Sequence, residues 1–281
     1  MAPVLRSLLF TPANRPQAFE KALASGADCV CLDLEDAVPE DAKSDARPAA
    51  LEFLTGPQGQ GPLRAVRINA LSCKAGARDL AGLVDAAPQS GALMLPKVES
   101  AAELQIVASI LDELGSKTCL IALVETAKGL SAVESIASAT PRLRALIFGG
   151  VDLSAALGAQ AGSDTMRMAR ARIVHAAHAQ DRDVLDVPEL DFRNEDSVQQ
   201  AAKNAAVNGF SGKAAIHPSN LAAINAAFTP SADEISDALK IIAAFEAAPD
   251  GLVVIDGKLI EAPVIRGMQK RLALARAALV L

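Results

Sequence analysis

The sequence predicts an α/β protein: a closed (β/α)8 TIM barrel followed by a C-terminal helix–hairpin–helix extension. Three observations carry this expectation. Short apolar runs alternate with longer helical patterns through eight units. The runs are apolar on both faces, as strands of a parallel sheet covered by helices are. No glycine-rich G-x-G-x-x-G turn follows the first run, which weighs against the alternative, an open doubly wound sheet.

The strand candidates, in order, are Ser7–Phe10, Cys29–Leu34, Ala65–Ile68, Leu93–Leu95, Leu120–Val124, Ala145–Phe148, Val184–Leu185 and Ala214–Ile216. Between the first two, Phe19, Ala22 and Leu23 recur at helical spacing before Gly26. After the fourth, Ser100 and Glu103 read as a capping box, Leu104, Val107, Leu111 and Leu114 share one face, and Gly115 ends the helix. Repetition of this kind gives right-handed parallel crossovers. We assign residues 1–228 to the barrel and 229–281 to the extension. There, Pro230 precedes a second capping box, Ser231 with Glu234, opening a helix with Ile235, Leu239, Ile242 and Phe245 inward. LVVIDGKLI, with Asp256-Gly257 at its centre, is a hairpin signal. Pro263 opens a last helix through Leu272 and Leu279. A hairpin outside a finished barrel has no core of its own, so it is expected to pack on a neighbouring subunit or to cap a site.

Composition narrows the function. The 281 residues are 51% hydrophobic and 21% charged, in the ordinary globular range. A net charge of −6 with no basic cluster argues against nucleic acid or an anionic membrane surface as partner. With 8 Phe and neither Trp nor Tyr, a base-stacking platform is also missing. No apolar run approaches a membrane span. Arg6 and Pro12 interrupt any signal core near the amino terminus, so the chain reads as unexported and cytoplasmic. Cys29, Cys31, Cys73 and Cys119 are too few and too apolar in setting for a disulfide framework, and Cys29 and Cys31 share one face of a strand as small core residues. Function is therefore sought in a small-molecule site.

Such a site belongs at the carboxyl ends of barrel strands. Those ends carry Asp33, Glu35 and Asp36; Arg67 and Asn69, on the same side of their strand; Pro96, Lys97 and Glu99; Glu125; Gly149-Gly150-Val151-Asp152; and Asp186. So many carboxylates at one mouth repel unless a cation neutralises them, and Arg67 alone does not suffice. Oxygen donors without His or Cys suit Mg²⁺, and Glu125 and Asp152, on adjacent strands, are the ligands selected. Spacing alone leaves open that each is a solvated carboxylate after a strand. Gly149 and Gly150 allow close backbone approach, so the amides that follow could hold an anionic group. His175 and His178 lie one turn apart and, lacking a third ligand, read as a helix-surface pair. His217, before Pro218, reads as structural.

The blocks RSLLFTPANRP, DLEDAVPEDAKSDAR, VRIN, LMLPKVES, ALVETAKGL, IFGGVDLSAALG and GFSGKAAIHP resemble the citrate lyase beta-subunit-like family, which includes malyl-CoA, citramalyl-CoA and citryl-thioester lyases. The match runs through almost the whole chain in order. It implies a TIM barrel, trimeric or hexameric, with Mg²⁺ on Glu125 and Asp152 and a coenzyme A thioester as substrate. It further implies that Arg67 holds the carboxylate and oxo group of a 2-oxo acid, with Gly150, Val151 and Asp152 beside it. Glu35 and Asp36 would orient Arg67 or the metal's waters, and Phe10, Arg15 and Lys21 would surround the nucleotide end of coenzyme A. A catalytic carboxylate is expected after the C-terminal hairpin, reaching a neighbour's site. The family pattern has Asp there, whereas this chain has Glu261, one methylene longer.

The implied activity is Mg²⁺-dependent retro-Claisen cleavage of a 3-hydroxy-3-carboxyacyl thioester, with Glu261 as the acid for the thioester enolate. The alternatives are a related thioester hydrolase, a 2-oxo-acid aldolase, or a non-catalytic thioester-binding subunit served by acyl-carrier protein.

Overall fold

The computed structural model describes residues 4–57, 59, 61–247, 253–255 and 257–278. The chain opens with β1 (Ser7–Pro12), α1 (Phe19–Leu23), β2 (Cys29–Asp33), α2 (Lys43–Thr55) and β3 (Leu63–Arg67). There follow α3 (Lys74–Ala86), β4 (Ala92–Leu95), α4 (Ala101–Glu113), β5 (Cys119–Val124) and the short α5 (Ala127–Ser131) and α6 (Val133–Ala137). Next are β6 (Leu143–Phe148), α7 (Gly150–Leu157), α8 (Asp164–His178), β7 (Asp183–Asp186), α9 (Glu195–Val207), β8 (Gly212–Ala215) and α10 (Leu221–Ala227). The chain continues through α11 (Ala232–Glu246), β9 (Val253–Ile255), β10 (Lys258–Ile260) and α12 (Ala262–Ala277).

Strands β1 to β8 pair in sequence order, all parallel, and β8 returns to β1 to close the barrel. The predicted (β/α)8 barrel is what the chain forms. Alternate residues fill the interior: Leu8, Cys31, Ala65, Met94, Ile121, Ile147, Leu185 and Ala214 belong to one buried cluster. Cys29 and Cys31 lie in it together, as their spacing predicts. The remaining strand residues face the helices, which accounts for runs apolar on both sides. Strand ends follow the hydrogen-bond ladder rather than hydropathy. Thus β3 starts at Leu63, before its apolar run, and β8 ends at Ala215, leaving Ile216 outside.

The residues separate into two compact units, one of residues 5–225 and one of the described residues from 226 onward with Val4. In the second unit, α11 opens with the predicted capping box of Ser231 and Glu234. Ile235 and Ala238 pack with Leu272 and Ala275 of α12. Leu239, predicted inward, is 45% exposed. The small Ala238 occupies the contact line instead and turns its larger neighbour outward. β9 and β10 pair antiparallel, with Lys258 opposite Ile255, and Gly257 takes a φ of +74°. The predicted turn residue Asp256 and the helix position Leu279 lie outside the described residues.

Two further expectations need correction. Ser100 makes no capping bond to its helix. Its hydroxyl donates to Glu103 Oε1, which also accepts the Glu99 amide, so the carboxylate alone organises that helix start. Cys73 is exposed rather than apolar in setting; its sulfur caps α3 by accepting from the Gly76 amide. Among the described residues no helix is long and apolar enough to cross a membrane.

Candidate active site

Parallel register places Asp33, the last residue of β2, directly beside Arg67, the last residue of β3. The Arg67 guanidinium forks onto that carboxylate, with Nε to Oδ1 at 2.7 Å and Nη2 to Oδ2 at 2.5 Å. Asp33 also accepts the amides of Glu35 and Ala37, so its position is set from two sides. Nη1 of Arg67 lies 2.9 Å from Glu35 Oε2 and 3.5 Å from Asp36 Oδ2. The Phe10 ring lies 5.0 Å from the guanidinium carbon, on its face. Burial opposes the Arg67 charge, yet Asp33, Glu35 and Asp36 together hold its pKa above the ordinary arginine value. Arg67 is thus a permanent, fixed positive charge.

Lys97, after β4, adopts a left-handed φ of +51°. This conformation aims its amide at Glu125 Oε1, 2.9 Å away, while its ammonium pairs with Glu35. Glu125, just past β5, is buried, and its side chain lies against Gly149. A Cβ on Gly149 would stand 2.3 Å from Glu125 Cβ and 2.9 Å from Oε2, so glycine is required there. Asp152 sits in the first turn of α7. Arg67, Glu125, Gly149, Val151, Asp152 and Phe10 line one cavity of about 450 Å³.

The electrostatics of this mouth are unbalanced. Among the described residues, Asp33, Glu35, Asp36, Glu125 and Asp152 are opposed by Arg67 and Lys97. Burial, with Glu35 and Asp152 nearby, pushes the Glu125 carboxyl up to about 8 despite the opposing pull of Lys97 and Arg67. Burial likewise raises Glu35 above the usual carboxylate range, although Arg67 and Lys97 resist. Glu35 Oε2, for all its closeness to Arg67, accepts no hydrogen bond. Among the described residues there is no cluster of three metal-ligating side chains. Two carboxylates without His or Cys, in a surplus of buried negative charge, suit a hard divalent cation that keeps several waters. The residues present fit Mg²⁺.

Other sequence candidates are dispersed. Arg15 and Lys21 are exposed, at the residue before a short 3-10 turn and in α1, and neither lines the cavity. Gly150 begins α7 against Phe148, which leaves no room for a Cβ. Glu261 is the exposed residue preceding α12, in the second unit. Asn69, expected on the same side as Arg67, instead bonds Asp79 of α3 and the Leu34 carbonyl, because β3 has already ended. Asp186 does not join the mouth; Leu185 fills the barrel and Asp186 therefore points outward, to Lys213 and Arg170. His217 bonds Ser219 and stacks on Phe192, and His175 and His178 are exposed on α8. Sequence reasoning gave no role to Asp33 and Lys97. Strand register was the missing signal for the first and a left-handed backbone for the second.

Comparison with known proteins agrees with this geometry. The family model described as HpcH/HpaI aldolase/citrate lyase matches residues 6–218. A (3S)-malyl-CoA thioesterase of Cereibacter sphaeroides is 35% identical, over 97% of this chain and 95% of its own. The L-malyl-CoA/beta-methylmalyl-CoA lyase of the same organism is 33% identical, over 93% and 91%. The crystal structure of CitE from Mycobacterium tuberculosis with magnesium, acetoacetate and coenzyme A superposes with a TM-score of 0.83 at 35% identity, covering 98% of this chain and 99% of that one. A barrel whose carboxyl-end cavity joins Arg67, Glu125 and Asp152, matched along most of its length by these relatives, belongs to the HpcH/HpaI aldolase/citrate lyase family.

Proposed function

We propose that this chain is a Mg²⁺-dependent carbon–carbon lyase. Its substrate is a 3-hydroxy-3-carboxyacyl coenzyme A thioester of the malyl, citramalyl or citryl type, and its products are a 2-oxo acid and an acyl thioester. The observation that carries this reading is the single cavity lined by Arg67, Glu125 and Asp152. Relatives named as malyl-CoA and citramalyl-CoA lyases support the substrate class.

Glu125 and Asp152 would hold the ion, which when bound supplies Lewis-acid charge beside the substrate's hydroxyl and carboxylate oxygens. Arg67, immobilised by Asp33, presents its remaining N–H edge to the substrate carboxylate. The amides opening α7, at Gly150 and Val151, face the same anionic group. Cleavage breaks the bond between the hydroxyl-bearing carbon and the carbon next to the thioester carbonyl. The hydroxyl proton passes to water as the 2-oxo group forms, and the thioester enolate takes a proton from Glu261 of a second copy of the chain, which regains one from water. A homotrimer or hexamer supplies that copy. Phe10, Arg15 and Lys21 serve the coenzyme A moiety, two of them as cations for its phosphates. Glu35 and Asp36 orient Arg67.

A second reading is favoured by one observation, the relative named as a thioesterase. Product analysis separates the two. The purified chain is incubated with malyl-, citramalyl- and citryl-CoA, with Mg²⁺ or with EDTA. The lyase reading expects Mg²⁺-dependent release of glyoxylate, pyruvate or oxaloacetate together with acetyl-CoA. Free thiol without 2-oxo acid establishes hydrolysis instead, and neither product from any thioester overturns the proposal.

A further inference from the structure

A second cavity, of about 750 Å³, opens on the outward side of β7 and β8, between α8 and α9. Arg67, Glu125 and Asp152 do not line it; Arg170, Asp186 and Lys213 do, and they are absent from the first cavity. At its floor two cations share one carboxylate. Lys213, 2% exposed, donates to Asp186 Oδ2 at 3.0 Å and to the Val187 carbonyl at 2.6 Å. Arg170 pairs with the other Asp186 oxygen through Nη1. Its guanidinium also lies against two rings, 4.7 Å from the Phe210 centroid and 5.5 Å from that of Phe148. These contacts immobilise a planar fork that, among the described residues, makes one hydrogen-bonding contact and leaves its other N–H groups unbonded.

At the rim, Arg167 pairs with Asp164, and Glu189 accepts the Asp191 amide. At the buried floor itself two cations face one carboxylate. A buried cation sharing its counter-ion is stabilised when a further anion arrives. Val151, Met166, Val187 and Leu190 add apolar lining to the same cavity. One surplus positive charge calls for one carboxylate, and the apolar lining calls for an alkyl body beside it.

We propose that the cleft between α8 and α9 is a second ligand site of this chain. It takes a monocarboxylate with an alkyl body, the carboxylate forked by Arg170 and the alkyl part on Val151, Met166 and Leu190. None of its charged residues lines the first cavity, although Val151, Val187 and Leu190 line both.

The test is calorimetric titration of hexanoate into the full chain at pH 7, with inorganic phosphate as a second probe. Hexanoate is expected to bind, Arg170→Gln to weaken it by about tenfold or more, and Arg67→Gln to leave it within about twofold. Ser197→Asp gives a second arm that leaves the floor intact. Ser197 lines the cavity in the first turn of α9, where an acid suits the helix, and its charge is expected to repel the ligand. Should Arg170→Gln fail to fold, Ser197→Asp decides alone. No binding up to about 10 mM hexanoate overturns the proposal, as does loss in Arg67→Gln with retention in Arg170→Gln or Ser197→Asp. Phosphate binding as tightly as hexanoate at the same residues overturns the alkyl assignment.

Discussion

Replacing Glu125 by Gln separates the metal's need for a carboxylate from the cost of burying one. In the metal-free protein the Glu125 carboxyl is pushed up to about 8 from its ordinary 4.5, chiefly by burial. The folded state therefore binds more protons than the unfolded state between those values. Stability from this group is fully present below pH 4.5 and is lost as pH rises toward 8. At pH 7 the loss is about 3 kcal/mol, from 1.36 kcal/mol per unit of pKa. Glutamine has no such titration, and its carbonyl oxygen still accepts the Lys97 amide. Urea unfolding in EDTA is expected to show wild type losing about 3 kcal/mol relative to Glu125→Gln between pH 4.5 and 7. With Mg²⁺ present the order reverses, because only wild type binds the ion and is stabilised by it. Metal affinity in wild type is accordingly expected to climb with pH until about 8, as the carboxylate forms. Parallel pH profiles of the two proteins in EDTA, or equal stabilisation by Mg²⁺, would refute the argument.

Three other perturbations follow from the same geometry. Gly149→Ala drives a methyl to 2.3 Å from Glu125 Cβ, and Mg²⁺ affinity by calorimetry is expected to fall by about tenfold or more while circular dichroism stays native. Asp33→Ala strips Arg67 of its forked partner, leaving Glu35 and Asp36 to hold a buried guanidinium; denaturation is expected to show a loss of about 3 kcal/mol, and kcat/KM to fall with it. At Lys97, with φ of +51°, glycine relieves the left-handed strain that alanine retains, so Lys97→Gly should be more stable than Lys97→Ala by about 1 kcal/mol. Both lose the ammonium that pairs with Glu35, so Mg²⁺ affinity is expected to change alike in the two.

Apolar runs of two to six residues between helical patterns pointed to a parallel sheet covered on both faces, and eight units without a glycine-rich turn favoured the closed barrel over the open sheet. The carboxyl-end rule then brought Arg67, Glu125 and Asp152 to one mouth from their positions after strands alone. The extension was legible through Ser231, Glu234 and Pro263, whose effects on a helix start are local. Leu239 was not, since the facing of a helix depends on which partner it meets.

What the order of residues determined by itself was set within a few neighbours: the alternation of apolar residues and the helix starts at Ser231 and Pro263. Tertiary structure alone decided which side chains at the strand ends point at each other. Asp33 meets Arg67 across a 34-residue separation through register, Lys97 reaches Glu125 and Glu35 through an unusual backbone angle, and Asp186 turns away from the mouth because its neighbour Leu185 fills the interior. The reason is that hydrogen-bond geometry and charge pairing act through space over a few ångströms, a distance that the linear chain does not encode directly.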